Sequence, residues 1–532
     1  MATSPPAGPA LRLPAWAWAS LALVLGFVYL RGIASDPLRW EEPRRALVAA
    51  EMIHRGDYVV PRLLGEPYLN KPPMQSWLIV LFAGGEARRL GPLPVRLPSV
   101  LAVAGITLLL LRLGLSSAAG PHALPALVFL TFGVLPQYGR PGEMDLVFTF
   151  FVTAALAAFE LGRRRGSGAR QWVLSQALVA GGVLTKGFAP LFFHPPALVA
   201  TWRRRLPLRP LALAGGAVVM LALVAAWVVP YARSGPVQAL GERLTSEVAQ
   251  RTTDTGPAEA LRHLARYPLV LLGAAAPWSL VLVPLAVPRA RAALRGLLED
   301  PWLALCGAVV AWGVLVFAFV PGTLPRYLIP VLPAAATLAA AVLGRLDRRA
   351  ANAWPWALLA GAWAIGLPLA SRGPLADLPA PRAALLAGTL VALGLLVAAA
   401  GREVARRFGA ATAALLTGGL LYGLAYAGVA EALTAHRHEA LVAAAEALAP
   451  RVRPQVPLVV PEGTDRRFTW PLAHRLDRLV VEQPPAPPYD LVGPAGTAVP
   501  ERSRLVAESG GFAVWRVRAA RTEAGPPGDA GR

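Results

Sequence analysis

The sequence predicts an α-helical integral membrane protein with about 13 transmembrane helices and a small external C-terminal α/β domain. Of its 532 residues, 55% are hydrophobic and only 16% are charged, whereas a soluble globular chain carries roughly 25% charged residues. The apolar residues fall into runs of about the length that spans a bilayer. Arginine clusters separate many of these runs, and all of them fall on one side when the spans are counted, which is the positive-inside pattern of membrane proteins.

The apolar runs define the order of the predicted spans. They are 11–33, 94–113, 121–138, 143–161, 171–187, 188–202, 211–231, 267–288, 301–320, 326–345, 354–370, 382–400 and 408–430. A shorter apolar piece, Met74–Gly84, is only about half a membrane thick and predicts a re-entrant or interfacial helix. Cys306 is the only cysteine, so an intrachain disulfide is impossible.

Short arginine-rich loops set the predicted orientation. The clusters are Arg163–Arg165, Arg203–Arg205, Arg289/Arg291/Arg295, Arg345/Arg348/Arg349 and Arg402/Arg406/Arg407. Their common side is predicted to be cytoplasmic, which places segments 34–93, 232–266 and everything after about residue 431 outside. The net charge of +21 is then spread over short cytoplasmic loops rather than one basic face, which argues against a nucleic-acid partner.

The composition changes sharply after the last apolar run. The sequence therefore predicts a transmembrane domain over 1–431, a small soluble α/β domain over 432–520 and a disordered tail over 521–532. An amphipathic pattern predicts a helix at Ala440–Leu448. Strand-like runs, separated by proline and glycine turns, follow at Leu458–Val460, Leu479–Glu482 and Phe512–Val517.

The first external loop holds two adjacent carboxylates, Glu41 and Glu42, followed by Arg44. At the membrane face such a pair can provide a general base, although a solvated loop with local ion pairs fits the same charges. Tyr68 and Lys71 close this loop before a Pro-Pro pair. A lysine at this position either binds a phosphate at headgroup depth or snorkels to the interface, and both interpretations stay open.

Asp145 and Lys186 lie at helix ends that are predicted to be external. Asp145 begins the span at 143–161, where a carboxylate is either a functional intramembrane acid or a helix cap. Lys186 lies in a turn on the same predicted side as Glu41 and Lys71. Lys71 and Lys186 are the only lysines among 52 basic residues, which indicates that a compact ammonium is required at both positions.

Two further external segments contribute cations. Arg251 lies in loop 232–266, and Arg326 with Tyr327 enters the tenth predicted span. A guanidinium fork and a phenol are suited to holding an anionic headgroup. The same residue types also anchor helices at the membrane interface as part of the aromatic belt.

Taken together, these motifs resemble those of the GT-C membrane glycosyltransferases, in the group that joins the protein O-mannosyltransferases with the bacterial aminoarabinose transferase of lipid A. The first-loop motif is Glu41-Glu42-Pro43-Arg44-Arg45-Ala46, followed by Glu51-Met52, Gly56-Asp57-Tyr58, Pro61 and Tyr68-Leu69-Asn70-Lys71-Pro72-Pro73. The later motifs are Gly139-Arg140 with Asp145, Leu184–Gly187 and Arg326–Pro330. The similarity covers roughly residues 10–345, in order and spacing.

The resemblance implies a fold of GT-C type with 13 transmembrane helices and a periplasmic active site in the bacterial inner membrane. It implies inverting transfer of a sugar from a polyprenyl-phosphate donor to a lipid A-like glycolipid or another envelope molecule. Within the same family, the alternative is a protein O-mannosyltransferase that acts on exported protein. An alternative from another class, a lipid or sugar transporter, predicts charges in the middle of the bilayer and repeated halves.

The resemblance also implies roles for individual residues. Glu41 matches the catalytic carboxylate, with Glu42 as the second choice, and Asp145 matches the second acid. The residues that would bind the donor phosphate are Lys71, Arg44, Arg251, Lys186, Arg326, Tyr327 and Tyr68. Asn70 and Val248 occupy positions where the family offers metal ligands, so no metal and no cofactor are predicted.

Overall fold

The computed structural model describes residues 22, 24–68, 70–114, 123–166, 168–203, 210–238, 256–286, 288, 296–321, 323–345 and 431–519. The predicted spans 354–370, 382–400 and 408–430 lie outside the described residues. Arg251 and the predicted tail 521–532 also lie outside them.

Helices dominate the described part of the first 345 residues. Two of them, α1 (Glu42–Arg55) and α2 (Met74–Phe82), lie in the segment that is predicted to form the first external loop. The others are α3 (Pro92–Gly114), α4 (Leu124–Leu130), α5 (Leu135–Gly139), α6 (Met144–Arg165), α7 (Gly168–Lys186), α8 (Pro195–Arg203), α9 (Pro210–Ser234), α10 (Pro257–Ala274), α11 (Pro301–Ala318) and α12 (Leu332–Arg345). A π-helical turn at Leu25–Leu30 and 3₁₀ segments at Ala189–Phe193, Trp278–Ala286 and Pro325–Val331 extend them.

Five segments of the described residues are long and apolar enough to cross a membrane. They are Pro92–Gly114, Met144–Arg165, Pro210–Ser234, Pro301–Ala318 and Pro325–Arg345. Each overlaps a predicted span almost completely, because an uninterrupted apolar run of this length satisfies its backbone hydrogen bonds only as a helix in lipid. The prediction of an α-helical membrane protein is therefore confirmed, and the total number of spans stays a prediction.

Two predicted spans are split by turns. The run 121–138 forms α4 and α5, which are separated by a turn in which the Gly133 amide donates to the carbonyl oxygen of Ala276 (2.7 Å). The run 188–202 forms a 3₁₀ segment followed by α8, which begins at Pro195. Proline favours the first turn of a helix and disfavours its interior, so these proline-containing runs break into shorter helices.

The predicted span 267–288 begins earlier than expected. Helix α10 starts at Pro257, so residues 257–266, which were predicted to belong to the external loop 232–266, are helical. The helix ends at Ala274, and a 3₁₀ segment begins at Trp278. Pro277 lies between them, and a residue that precedes proline is restricted away from helical backbone angles.

Helices α6 and α7 form an antiparallel hairpin that defines the two ends of the helical bundle. Their close approach depends on Gly181, because a Cβ at this position would lie 2.4 Å from Cε1 of Phe151. Since α6 begins where α7 ends, Asp145 and Lys186 lie at one end of the hairpin and Arg163–Arg165 lie at the other. The candidate site residues and the arginine cluster are thus separated by the length of these helices.

Residues 431–519, the C-terminal unit, contain helices and a five-stranded mixed sheet. The elements are α13 (Glu431–Leu448), β3 (Leu458–Val459), α14 (Arg466–Leu476), β4 (Val480–Val481), β5 (Tyr489–Pro494), β6 (Ser503–Ser509) and β7 (Phe512–Val517). The strand order is β4-β3-β5-β7-β6; β3 is parallel to β4 and β5, and β7 is antiparallel to β5 and β6. The three predicted strand runs coincide with β3, β4 and β7, whereas β5 and β6 were not predicted. The domain boundaries and the external location stay predictions.

The C-terminal unit shares a hydrophobic core with the first loop. Leu47 of α1 and Leu90 pack in one cluster with Phe468 and Leu472 of α14. The loop also forms a small hairpin, β1 (Arg62–Leu63) with β2 (Glu66–Pro67). Its Leu64 carbonyl oxygen accepts a hydrogen bond from the amide of Glu482 (3.1 Å). This common core fixes the C-terminal unit against the residues that carry Glu41 and Glu42.

Candidate active site

Glu42 is completely buried and is held by a network of hydrogen bonds. Its carboxylate oxygens accept bonds from Nε and Nη2 of Arg96 (2.7 and 2.9 Å). They also accept bonds from the backbone amides of Gly142 and Arg39 (both 2.8 Å). Burial alone raises the pKa of Glu42, but the charge and hydrogen bonds of Arg96 outweigh it and lower the pKa below its ordinary value. Glu42 therefore remains a carboxylate that is already fully used as a hydrogen-bond acceptor.

Glu41 has a different environment, although it is the adjacent residue. It occupies the N-cap position of α1, and its side chain is 33% exposed. Its carboxylate forms an ion pair with Arg44, which is one helical turn further on. The preceding residue, Trp40, has a φ of 55° and is 41% exposed. Glu41 is thus the carboxylate of the pair that is accessible from outside the protein.

Asp145 and Lys186 form an ion pair at the end of the α6/α7 hairpin. Nζ of Lys186 lies 2.5 Å from Oδ1 of Asp145, and both side chains are largely buried. The same ammonium lies 5.3 Å from the ring centroids of Phe148 and Tyr327. The guanidinium of Arg326 lies 5.6 Å from the Tyr327 ring. Fixed positive charges and an aromatic hydroxyl therefore meet beside one carboxylate, as a phosphate-binding site requires.

Glu143 connects the two acid-containing parts of the site and was not among the predicted site residues. It is 4% exposed and lies just before α6. Burial raises the pKa of Glu143 to about 7; Arg45 opposes this shift, and Asp145, Glu42 and Glu41 add to it. Its position two residues before Asp145, in a loop that the sequence placed at the membrane boundary, was the available signal.

Arg45 lies in this same region, at a position where the family that the first-loop motif resembles has tyrosine. Its Nη1 donates a hydrogen bond to the hydroxyl of Tyr68 (2.8 Å), and both side chains are buried. Arg45 also interacts electrostatically with Glu143 and Glu41. The substitution thus adds a buried cation to a cluster of carboxylates.

The structure brings together most of the predicted site residues in its described part. Glu41, Arg44 and Tyr68 belong to the first loop, and Asp145, Lys186, Arg326 and Tyr327 lie at the adjoining end of the helical bundle. Lys71 is half-buried in the turn before α2. The placement of Arg251 lies outside the described residues. Within the described residues, no three His, Cys, Asp or Glu side chains are grouped to hold a metal ion, and the predicted absence of a metal stays a prediction.

Two buried arginines that hold the site together were not among the predicted site residues. Arg96 also donates to the carbonyl oxygens of Asp36 (3.0 Å) and Pro37 (2.8 Å), besides binding Glu42. Arg140 is 1% exposed and donates from Nη2 to Oδ2 of Asp36 (2.9 Å). The partners of Arg96 and Arg140 are distant in sequence, so no local sequence pattern predicts these contacts.

Comparison with known proteins agrees with these observations. Residues 70–229 match the family model described as dolichyl-phosphate-mannose-protein mannosyltransferase. The undecaprenyl phosphate-alpha-4-amino-4-deoxy-L-arabinose arabinosyl transferase of Edwardsiella ictaluri is 28% identical over 352 residues, which cover 62% of this chain and 60% of the relative. The protein of the same name from Pseudomonas aeruginosa strain UCBPP-PA14 is 32% identical over 199 residues, or 35% of each chain. The chain thus spans at most 60% of the length of these two relatives.

The fold has a counterpart among solved structures. ArnT from Cupriavidus metallidurans, in a crystal structure bound to undecaprenyl phosphate, superposes with a TM-score of 0.71 at 22% sequence identity. The superposition covers 96% of this chain and 99% of ArnT. The apo state of the same protein gives a TM-score of 0.65. Together with the family match and the relatives, this fold confirms the resemblance to the GT-C membrane glycosyltransferases that the sequence motifs indicated.

Proposed function

We propose that this chain is an inverting glycosyltransferase that uses a polyprenyl-phosphate sugar at the external face of the bacterial inner membrane. The observation that carries the proposal is the Asp145–Lys186 ion pair, with Arg326 and Tyr327, at the same end of the helical bundle as Glu41. The names of the similar proteins support an aminoarabinose donor on undecaprenyl phosphate. A lipid A-like glycolipid is the proposed acceptor.

The reaction would be a direct displacement at the anomeric carbon of the donor sugar. An acceptor oxygen forms the new bond from the face opposite the phosphate, and the bond between carbon and phosphate oxygen breaks with its electron pair on the phosphate. Glu41 would orient an acceptor hydroxyl and take its proton. A phosphate acceptor needs no proton removal, and Glu41 would then only position it.

The cations at the helix ends would stabilise the departing phosphate. Lys186 and Arg326 lie on the Asp145 side of the site, and Lys71 and Arg251 are proposed to join them. Fixed charges in a site of low dielectric stabilise developing negative charge more strongly than water does, because they need not reorganise during the reaction. Asp145 would hold the Lys186 ammonium in place before the donor arrives, which makes Asp145 a positioning residue.

Glu41 is a better candidate than Glu42 for the residue that contacts the acceptor. Glu42 is buried and accepts four hydrogen bonds, so it has no free oxygen position for a substrate proton. The Glu41 side chain is 33% exposed, and its ion pair with Arg44 leaves it accessible to a substrate. We therefore assign the catalytic role to Glu41 and a structural role to Glu42.

A second candidate function is O-mannosylation of an exported protein. The family model that matches residues 70–229 carries this activity in its description. The two candidates differ in donor sugar and in acceptor. Separate assays with an aminoarabinose donor and lipid A, and with a mannose donor and a peptide, distinguish them.

The test is transfer by the purified chain in lipid nanodiscs, followed by mass spectrometry of the acceptor. We expect Glu41→Gln to lower the rate at least about 100-fold, which is the usual size of a general-base contribution. Asp145→Asn should also lower it strongly, through misplacement of Lys186. The matched control is Glu86→Gln, since Glu86 lies in the same loop and forms an exposed ion pair with Arg89. Full activity of both Glu41→Gln and Asp145→Asn would contradict the proposed site.

A further inference from the structure

A cavity of about 260 Å³ lies between the first loop and the C-terminal unit. Trp40, Glu41 and Arg44 form one wall, and residues 463–467, at the start of α14, form the other. Glu41, the proposed catalytic carboxylate, therefore faces a space to which the C-terminal unit contributes directly. The sequence assigns no role to this unit.

One guanidinium at the cavity is not paired with a carboxylate that lines the cavity. Arg44 forms an ion pair with Glu41, and Arg467 forms an ion pair with Asp465. Arg466 forms no hydrogen bond with any described residue, and its Nε is buried without a partner. Its charge acts on Glu482, which does not line the cavity. A buried polar atom with no partner is costly and is expected to have one in the functional state. Among the residues that line the cavity, the cations therefore outnumber the carboxylates by one, and Nε of Arg466 is a donor without a partner.

The aromatic wall adds a second recognition element. Trp40 is 41% exposed, and its backbone has a left-handed φ of 55° that a non-glycine residue adopts only at a cost. The neighbouring Arg39 guanidinium lies 5.9 Å from the Trp40 ring. A large exposed ring beside polar groups provides an apolar surface for the C–H face of a sugar. Trp40 and Arg466 together match a sugar that carries a phosphate.

We propose that this cavity binds the phosphate-bearing sugar headgroup of the acceptor lipid, with Arg466 holding the phosphate and Trp40 contacting the sugar. The assignment to the acceptor rests on the proposed function. Glu41 lines the cavity, whereas Lys186 and Arg326 lie at the helix ends on the side of Asp145. Lys186 and Arg326 do not line the cavity, so a headgroup bound there would meet Glu41 without displacing the donor phosphate.

A binding experiment tests the cavity independently of catalysis. The full-length protein in detergent is equilibrated with radiolabelled glucosamine 1-phosphate, with glucosamine or with inorganic phosphate, and bound ligand is measured by equilibrium dialysis. We expect glucosamine 1-phosphate to bind most tightly and Arg466→Ala to weaken it by about tenfold, because a charge-assisted hydrogen bond is lost. Arg475→Ala is the matched control, since Arg475 lies on the same helix, is exposed and does not line the cavity.

The outcomes of the binding experiment are separable. Equal binding to wild type and Arg466→Ala would overturn the proposal, and so would equal affinity for the sugar with and without its phosphate. Binding of inorganic phosphate as tight as that of the sugar phosphate would assign the cavity to a free anion. Trp40→Ala should weaken the sugar phosphate while leaving inorganic phosphate unchanged, and the opposite result would contradict the role of the ring.

A kinetic experiment separates this inference from the proposed function. With a lipid A acceptor, Arg466→Ala should raise the acceptor KM by about tenfold, with a small change in kcat and none in the donor KM. An increase in the donor KM alone would place the donor phosphate in the cavity and overturn the proposal. If wild type transfers no sugar to any acceptor, the proposed function fails, and the binding experiment still decides the cavity.

Discussion

Glu41 and Glu42 are adjacent in sequence, but they belong to two different regions of the molecule. Successive residues of a helix point about 100° apart, so Glu42 faces α3 while Glu41 faces the C-terminal unit. Glu42 meets Arg96 and two backbone amides in a fully buried network. Glu41 forms an ion pair with Arg44 at the wall of an open cavity.

The contrast shows how one sequence motif supplies both a framework and a reactive group. A carboxylate whose hydrogen-bonding positions are filled by the protein stabilises one loop conformation and offers nothing to a substrate. A carboxylate with a single partner can exchange that partner for a substrate group. The buried network around Glu42 therefore holds Glu41 and Trp40 in place at the cavity.

The largest expected effect comes from breaking the buried pair. In Glu42→Gln the guanidinium of Arg96 loses the countercharge of Glu42 at a site that is 1% exposed. Removing one partner of a buried pair costs about 3–5 kcal/mol. We expect a large decrease in the thermal midpoint of the purified protein, measured by fluorescence-detected size exclusion after heating.

Glu41→Gln is the control for this prediction, because the substitution is the same and the position is one residue away. It should melt close to wild type while losing transfer activity. A pair of variants with the reverse behaviour would show that the framework and the reactive group have been assigned the wrong way round.

The second largest expected effect is a pH dependence of thermal stability that arises from Glu143. Its pKa in the folded protein is about 7, against 4.5 in the unfolded chain. A group with a raised pKa contributes stability that is complete below pH 4.5 and is lost as the pH rises through about 7. The contribution is on the order of 3 kcal/mol for a shift of this size. Between pH 5 and pH 8, wild type should therefore lose more thermal stability than Glu143→Gln.

The comparison with Glu143→Gln separates Glu143 from the acids that do not interact with it, because those acids titrate equally in both proteins. Burial also raises the pKa values of Glu51 and Glu482, and those contributions cancel. Parallel melting curves over the same pH range would contradict a neutral Glu143 in the folded protein.

The smallest effect is expected at the exposed edge of the loop. Asp477 pairs with Arg88 (2.8 Å) and with His54 (3.5 Å), and Arg88 is 85% exposed. Exposed ion pairs contribute little, because water and salt screen them. Asp477→Asn keeps a residue type that tolerates the left-handed φ of 49° at this position. Its thermal midpoint should be indistinguishable from that of wild type, and a clear decrease would mean that this edge holds the C-terminal unit in place.

The sequence predicted the main acids and cations of the site, but not which of them face a substrate and which stabilise the fold. The paired carboxylates, Asp145 and Lys186 were found because charges are rare beside apolar runs. The choice between Glu41 and Glu42 depends on Arg96, which lies 54 residues further along the chain. No local pattern encodes that contact. Glu143 was missed for a related reason, since its burial depends on elements from several parts of the chain.

The fold was predictable where a single physical pattern dominates. Long apolar runs such as Pro92–Gly114 became helices, and the strand Phe512–Val517 is rich enough in aromatic and β-branched residues to be recognised. Strand β5 ends in Gly-Pro, a turn signal that hid it. The shared core of the first loop and the C-terminal unit joins residues about 400 positions apart, so it follows from tertiary packing alone.

Gly142 has a consequence for how the substrate range of such an enzyme can change. A Cβ at Gly142 would lie 2.5 Å from the carbonyl oxygen of Val95, and the Gly142 amide also binds Glu42. Any larger residue here would displace the loop that carries Glu143 and Asp145. Variation is therefore costly on this side. In the turn 463–467 it is costly at Gly463, whose φ is 81°, and less costly at the half-buried side chains of Arg466 and Arg467. We expect new acceptor preferences to be acquired, in nature or by engineering, through the C-terminal wall while the reaction centre stays constant.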